Sequence, residues 1–246
     1  MRLEKKIAIV TGGSRGIGQA VAELFAQEGA TVYIWDLLDE GEATAAGINA
    51  NGGKCVFQKL SVTDKGAIAS AVEHIIAEEG RIDILINNAG ITKDRSLLKM
   101  SDEEWDAVIN VNLNGVYNCI KAVAHHMKEQ KYGRIISASS TTGLFGNYGQ
   151  VNYAATKAAL IGMAKTLTLE LGPYGITTNC IAPGYTKTPM TAAIPQHLQD
   201  AAVQQIPMRM IADPIDQAYG YLYLASDEAR FVSGICIAID GGVTRR

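Results

Sequence analysis

The chain is poor in the residues that mark several large classes of protein. Its four cysteines, Cys55, Cys119, Cys180 and Cys236, stand far apart and form no C-x-x-C pair. A disulfide framework and a thiolate zinc site are therefore not indicated, and the four read as small buried apolar residues in a reducing compartment. The histidines, His74, His125, His126 and His197, lack any H-E-x-x-H or similar ligand spacing, so no metal is expected. Basic residues are in slight deficit, with a formal charge of -3, which argues against a nucleic-acid partner. No stretch approaches the ~20 uninterrupted apolar residues of a membrane span. The opening residues run straight into a short apolar strand, without the longer apolar core of a secretory leader, and a cytoplasmic location is expected. Linkers, low-complexity tracts and repeats are also missing. Residues 1–246 are expected to form one domain.

What is present is an alternation of short β-branched runs and longer helical patterns. Ile7 to Val10 is a continuous apolar run, as in a parallel strand covered on both faces. Further strands are predicted at Thr31 to Trp35, Lys54 to Leu60, Ile82 to Ile86, Arg134 to Ala138, Ile176 to Ile181 and Ile235 to Ile239. Helices are predicted over Ile17 to Glu28, Lys65 to Glu79, Asp102 to Gln130, Gln150 to Leu171 and Ile215 to Ala225. Seven strands separated mostly by helices predict an α/β fold, a doubly wound parallel sheet of the Rossmann type. Ligands of such sheets sit at the carboxyl ends of the strands, so chemistry is expected in the loops that leave them.

The first such loop runs from Thr11 to Gly18, with glycines at 12, 13, 16 and 18. Glycines there allow positive φ, close approach to a pyrophosphate, and a helix N-terminus open to an anion. A glycine cluster alone is often only a turn; a strand before and a helix after favour the nucleotide reading. Asp36, ending the second strand, stands where a carboxylate can accept hydrogen bonds from an adenosine ribose and repel a 2′-phosphate. That favours NAD. Arg15 argues for NADP, since a basic residue in this loop can pair with the phosphate. An ordinary capping role for Asp36, shared with Asp39 and Glu40, is the other reading of that position.

Tyr153 and Lys157 lie at i,i+4 spacing, on one face of a predicted helix. An ammonium beside a phenol favours phenolate and lowers a pKa that starts near ~10, which suits a proton donor and acceptor at a carbonyl. Ten tyrosines make chance matches common, and Tyr117 with Lys121 is a second one. Context separates them. Tyr153 follows a strand ending in the turn at Ser137 to Gly143, whereas Tyr117 lies inside a long helix and is read as structural. Ser140 is the candidate to hold a substrate oxygen beside Tyr153, although serines are also ordinary turn residues. Asn87 to Gly90 and Pro183-Gly184 complete the ring of loops.

Together Gly12, Gly16, Gly18, Asn87 to Gly90, Asn112, Ser140, Tyr153, Lys157 and Pro183-Gly184 resemble the short-chain dehydrogenase/reductase family along the whole chain. The resemblance implies a nicotinamide-dependent oxidoreductase acting on a ketone or secondary alcohol. Its catalytic residues would be Asn112, Ser140, Tyr153 and Lys157, with Asn112 holding a water and Lys157 also holding the nicotinamide ribose. Its cofactor contacts would be Gly12, Ser14, Arg15, Gly16, Ile17, Gly18, Asp36, Ser61, Val62, Asn88, Ala89, Gly90, Tyr153, Lys157, Pro183, Gly184, Thr186 and Thr188. Within the family the chain is most similar to 3-oxoacyl-acyl-carrier-protein reductases, through Asn87 to Thr92, Gly149 to Tyr153 and Leu224 to Glu228. It departs from them at Asp36 and at Tyr174, where arginine is common on a surface that meets the carrier protein, and from the wider family at Ser61, where relatives often carry Asp. Residues 207–214 also replace their glycine-arginine pattern.

The reading is an oxidoreductase that prefers NAD over NADP and acts on an apolar ketone or alcohol, most often a 3-oxoacyl thioester. Its alternatives are a dehydrogenase of another apolar or cyclic secondary alcohol, and a nicotinamide-sensing protein without turnover. Sugar-nucleotide epimerases share the Tyr-x-x-x-Lys spacing but are longer. Residues 186–211, with Pro189, Pro195, Pro207, Met190, Met208 and Met210, are expected to form a lid. A homotetramer is expected, paired through Val116, Ile120, Val123, Leu160, Met163 and Leu167 on the two long helices.

Overall fold

A computed structural model describes residues 1–192 and 195–245; Ala193 and Ile194 of the expected lid, and Arg246, lie outside the described residues. The first half runs β1 (Ile7–Thr11), α1 (Gly16–Gln27), β2 (Thr31–Asp36), α2 (Glu40–Ala50), β3 (Lys54–Lys59), α3 (Lys65–Glu79) and β4 (Ile84–Asn87). Then come α4 (Asp102–Ile109), α5 (Gly115–Gln130), β5 (Gly133–Ala138), α6 (Thr141–Phe145), α7 (Val151–Leu171) and β6 (Ile176–Pro183). The chain continues with α8 (Pro189–Ala192), α9 (Gln196–Gln205), α10 (Pro214–Ala225) and β7 (Cys236–Ile239). The strands form one parallel sheet in the order β3-β2-β1-β4-β5-β6-β7. Strand order reverses between β1 and β4, so the crevice for a ligand opens above their carboxyl ends.

Alternate strand residues feed two apolar layers. Ala8, Val10, Ile34, Ile86 and Ile181 pack under α1, α2 and α10, while Ile7, Ile9, Trp35, Leu85 and Cys180 pack under α3, α5 and α7. Each fully buried isoleucine contributes roughly 1.5–3 kcal/mol, which is why unbroken apolar runs settle as central strands. At the amino ends, the buried Asp83 carboxylate accepts from the Ile7 amide at 2.9 Å and pairs with Arg81, tying β4 to β1.

Three expectations need correction. First, the span from Asp102 to Gln130 is not one regular helix. A π-helical turn at Asn110–Asn114 separates α4 from α5. It turns Asn112 fully inward, where its amide donates to the Ile91 carbonyl and accepts from the Ile91 N–H, both at 2.9 Å. Second, α2 fills a stretch where no helix was predicted. Its buried face is made of Gly41, Thr44, Ala45 and Ile48, and a side chain at Gly41 would collide with Phe57. Third, the residues expected to pair subunits are committed to the core. Val116, Ile120, Val123 and Leu160 are buried against the sheet, with Met163 and Leu167 packed beside them. They cover a sheet face whose strands are apolar on both sides, and so are not spare.

Candidate active site

Thr11 ends β1 and organises the loops on both sides of the switch point. Its hydroxyl donates to the Ile86 carbonyl and accepts from the N–H groups of Asn88 and Ala89 at 3.0 Å each. The Asn88 amide in turn donates to the carbonyls of Thr11 and Gly12 at 3.2 and 3.0 Å. The glycine loop and the Asn88–Gly90 loop are thereby locked together. Gly12 has φ +65°, and a Cβ on it would sit 2.8 Å from Ala89 Cα, so no other residue fits. Gly18 is equally closed in, against the Gly12 carbonyl and the Asn88 amide.

At the N-terminus of α1, Arg15 is extended and exposed and provides no side-chain cap. The amides of that first turn are left for an anion. Ile17 packs on the core beneath. Ser14 is buried, and its hydroxyl donates to the Leu38 carbonyl at 3.3 Å. Its N–H donates to Asp36 Oδ2 at 3.1 Å, while Asp36 Oδ1 accepts from the N–H groups of Leu37 and Leu38. Asp36 thus caps the following turn and also braces the glycine loop. A carboxylate has lone pairs to spare for ribose hydroxyls beyond these.

After β3, the Ser61 hydroxyl pairs with Thr63 at 2.8 Å, and the Val62 carbonyl accepts from Asn118 at 3.1 Å. Val62 is buried against Gly115, so this edge of the crevice leans on α5. On the far side, Gly184 N–H donates to the Ile239 carbonyl at 2.9 Å, and Thr186 is buried. A Cβ on Gly16 would lie 3.5 Å from Thr188 Cγ2, so the segment after β6 crosses close to the glycine loop. Glycines that admit no Cβ, open helix amides and a carboxylate at the end of β2 fit a dinucleotide.

Between these walls stand the expected proton-transfer residues. Ser140 caps α6 after β5, accepting from the Thr142 N–H at 3.1 Å, and its hydroxyl is near enough to act on the Tyr153 phenol. Lys157 is buried one helical turn after Tyr153, with Nζ 5.4 Å from the Tyr153 ring centre and donating to the Ala138 carbonyl at 2.6 Å. A Cβ on Gly90 would be 3.3 Å from Asn112 Oδ1 and 3.6 Å from Lys157 Nζ, which places all three groups around one point. Both ends of the Asn112 amide are taken up by Ile91, so it fixes this turn. Tyr117 is elsewhere. It is half exposed on α5, lines an open cleft with Thr63, Lys65 and Asn114, and has Lys121 at 5.6 Å from its ring.

Burial pushes the Tyr153 phenol above its ordinary value, with the Ser140 hydroxyl acting against it and the Asp94 charge adding to it. Lys157 is not among the groups that act on the Tyr153 phenol, so the lowering expected from it is not supplied by the protein groups alone. Burial lowers Lys157 from 10.5 to about 8. A lysine depressed in the fold costs stability wherever both folded and unfolded states are protonated, below about pH 8, and the cost fades as pH rises toward 10.5. Lys157→Met should therefore stabilise the chain at pH 7 by on the order of 2 kcal/mol, after subtracting the lost bond to Ala138. Paired thermal melts check this: the gain should shrink between pH 7 and pH 9.5. An equal loss of Tm at both would mean the ammonium is not strained.

Sequence reasoning did not find three supporting groups. They are Thr11 as the loop clamp, Ser139, whose hydroxyl donates to the Lys157 carbonyl at 2.8 Å, and Gln217 behind Thr186. Thr11 was legible as a hydroxyl at the end of a strand beside Gly12; the other two depend on elements far apart in the chain.

A family model described as enoyl-(acyl carrier protein) reductase matches residues 12–244. The chain is 46% identical over 244 residues to the 3-oxoacyl-[acyl-carrier-protein] reductase FabG of Thermotoga maritima, covering 99% of each chain. It is 43% identical over 244 residues to the protein of that name from Escherichia coli K12, again covering 99% of each. Among solved structures, gox2181 matches with a TM-score of 0.96 at 33% identity, covering 100% of this chain and 98% of that one. Levodione reductase matches with a TM-score of 0.92 at 32% identity, covering 98% of each.

Proposed function

This chain belongs to the short-chain dehydrogenase/reductase family and is a nicotinamide-dependent oxidoreductase acting on CH–OH or C=O groups, and on that premise we propose that it reduces 3-oxoacyl thioesters with NADH. The observation that carries this reading is the convergence of Ser140, Tyr153, Lys157 and Gly90 over the end of β5, facing the glycine loop across one crevice. The 3-oxoacyl reductases to which it is similar supply the substrate class.

When bound, the nicotinamide supplies or takes the hydride, and its oxidised ring carries a positive charge. Tyr153 gives its phenolic proton to the carbonyl oxygen, and Ser140 holds that oxygen by a second hydrogen bond. Lys157 stabilises the phenolate and is held in place by the Ala138 carbonyl. Asn112 keeps the Gly90-Ile91 turn against Lys157. The α1 N-terminus takes the pyrophosphate, and Asp36 takes the ribose and selects NAD over NADP. Thr188, beside Gly16, meets the nicotinamide end, and Ser61 and Val62 border the adenine.

The stretch from Thr186 to Ile211 serves as the lid, and Met190, Met208 and Met210 are exposed on it. Two separate exposed apolar patches support a homotetramer. One carries Leu97, Leu98 and Trp105 beside α4; the other carries Tyr219, Tyr223, Phe231 and Ile235 beside α10 and the edge strand β7. Two patches that each pair with their own copy close a four-subunit assembly. Light scattering should give four subunits, and Phe231→Glu should leave dimers; a monomeric wild type would reject this assembly.

The substrate class is tested by kcat/KM for NADH oxidation with 3-oxoacyl thioesters on acyl carrier protein and on coenzyme A, against cyclic diketones and simple ketones. The thioesters should be preferred. The likeness to levodione reductase supports the second reading, another apolar or cyclic ketone, which a preference for those compounds would establish instead.

A further inference from the structure

The helix α10 buries a glutamine in its apolar face. Gln217 is 0% exposed, among Ala218, Tyr221 and Leu222. Its Nε2 donates to Thr186 Oγ1 at 3.1 Å and to the Ile239 carbonyl at 3.0 Å. The Ile239 carbonyl also accepts from Gly184 N–H at 2.9 Å, and the Thr186 hydroxyl donates to the Gly184 carbonyl at 3.0 Å. One amide thereby ties β7 to both polar groups of the loop that leaves β6. Its Oε1 has no partner. A buried orphan acceptor is destabilising, so a leucine or methionine would serve the core of α10 better. The amide is instead spent on the loop.

That loop leads to the crevice. From Thr186 the chain passes to Thr188, whose methyl lies next to Gly16, and the Thr186 carbonyl accepts from Thr191 at 2.7 Å. Thr191 in turn accepts from the Thr188 N–H at 2.9 Å. A shift at Thr186 is therefore transmitted to Thr188 and to the start of α8. Among the described residues, no hydrogen bond joins Asp36 to this chain of bonds.

We propose that Gln217 is a positioning residue for the nicotinamide half of the cofactor site, holding the Gly184–Thr188 loop through Thr186 without touching the cofactor. The proposal rests on the reading that residues 184–188 face the nicotinamide end and Asp36 the adenosine end. It predicts a selective loss: contacts to the nicotinamide half weaken, and those to the adenosine half do not.

The test is calorimetric binding of NADH and of AMP to wild type, Gln217→Met and Thr186→Val, with melting temperatures of the free proteins. Gln217→Met should raise the NADH Kd by roughly tenfold, the order of one lost hydrogen bond, and leave the AMP Kd unchanged. Its Tm should equal or exceed that of wild type, because the orphan oxygen is gone. Thr186→Val should reproduce the selective loss, and the double variant should bind NADH no worse than the weaker single one. Equal weakening of NADH and AMP, or an unchanged NADH Kd, would overturn the proposal. If Gln217→Met does not fold, Gln217→Leu decides by the same two constants. Wild type that binds AMP but gains nothing from the nicotinamide half would reject the site reading itself, a different outcome from either.

Discussion

Tyr153→Phe should lower kcat by ~10²–10⁴-fold while leaving the Kd of NADH almost unchanged, as expected for loss of a general acid. The variant is a clean one. The Tyr153 N–H is held by Asn152 Oδ1 at 2.7 Å, and the Asn152 amide donates to the Lys93 and Glu104 carbonyls, so the start of α7 is placed without the phenol. Phenylalanine keeps the ring beside Lys157 and removes only the oxygen that meets Ser140. Tyr117→Phe is the control, because Tyr117 has the same spacing to its lysine but faces out from α5. Steady-state rates at saturating NADH, with Kd from fluorescence titration, give both numbers. A dead Tyr117→Phe beside an active Tyr153→Phe would move the site.

Asp36→Asn should shift the ratio of kcat/KM for NADH over NADPH by roughly a hundredfold toward NADPH. A like-charge contact poorly screened from water costs a few kcal/mol, and each tenfold in preference is ~1.4 kcal/mol. The structure dictates the choice of substitution. Alanine would remove the charge but also the acceptors for Ser14, Leu37 and Leu38, loosening the glycine loop for either cofactor. Asparagine keeps one acceptor and isolates the charge. Arg15, exposed at the mouth of the same loop, can pair with a 2′-phosphate, so Arg15→Ala should weaken NADPH use further and leave NADH nearly alone. If wild type already prefers NADPH and Asp36→Asn leaves the ratio unchanged, Asp36 is a cap and brace only.

The central strands were legible because strands covered on both faces are apolar at every position, as in Ile7 to Val10 and Ile84 to Ile86. The loops at their carboxyl ends were legible for a chemical reason: only glycine tolerates the closeness of Gly12 to Ala89. The pair Tyr153 and Lys157 was legible from helix spacing together with the Ser137 to Gly143 turn that precedes it. α2 was not legible because it is buried through small residues and leaves no apolar stripe. The π-turn was not legible either, since what stabilises it is Ile91, about twenty residues earlier in the chain. The buried apolar residues counted on α5 and α7 cover strands that are themselves apolar on that face, and exposed apolar residues lie near α4, α10 and β7 as well as at Tyr117 of α5 and Val151 and Leu169 of α7. Gln217 carried a faint signal, a lone amide in an apolar stretch, but its role depends on β6 and β7 meeting α10.

The most direct test of the whole account is a crystal structure of the Tyr153→Phe variant with NADH and a 3-oxoacyl thioester both bound. The ketone oxygen should lie within hydrogen-bond reach of Ser140 Oγ and beside the ring edge of residue 153, with the ketone carbon against the nicotinamide ring and the adenosine ribose on Asp36. A ketone bound away from the end of β5, or a nicotinamide pointing out of the crevice, would contradict it.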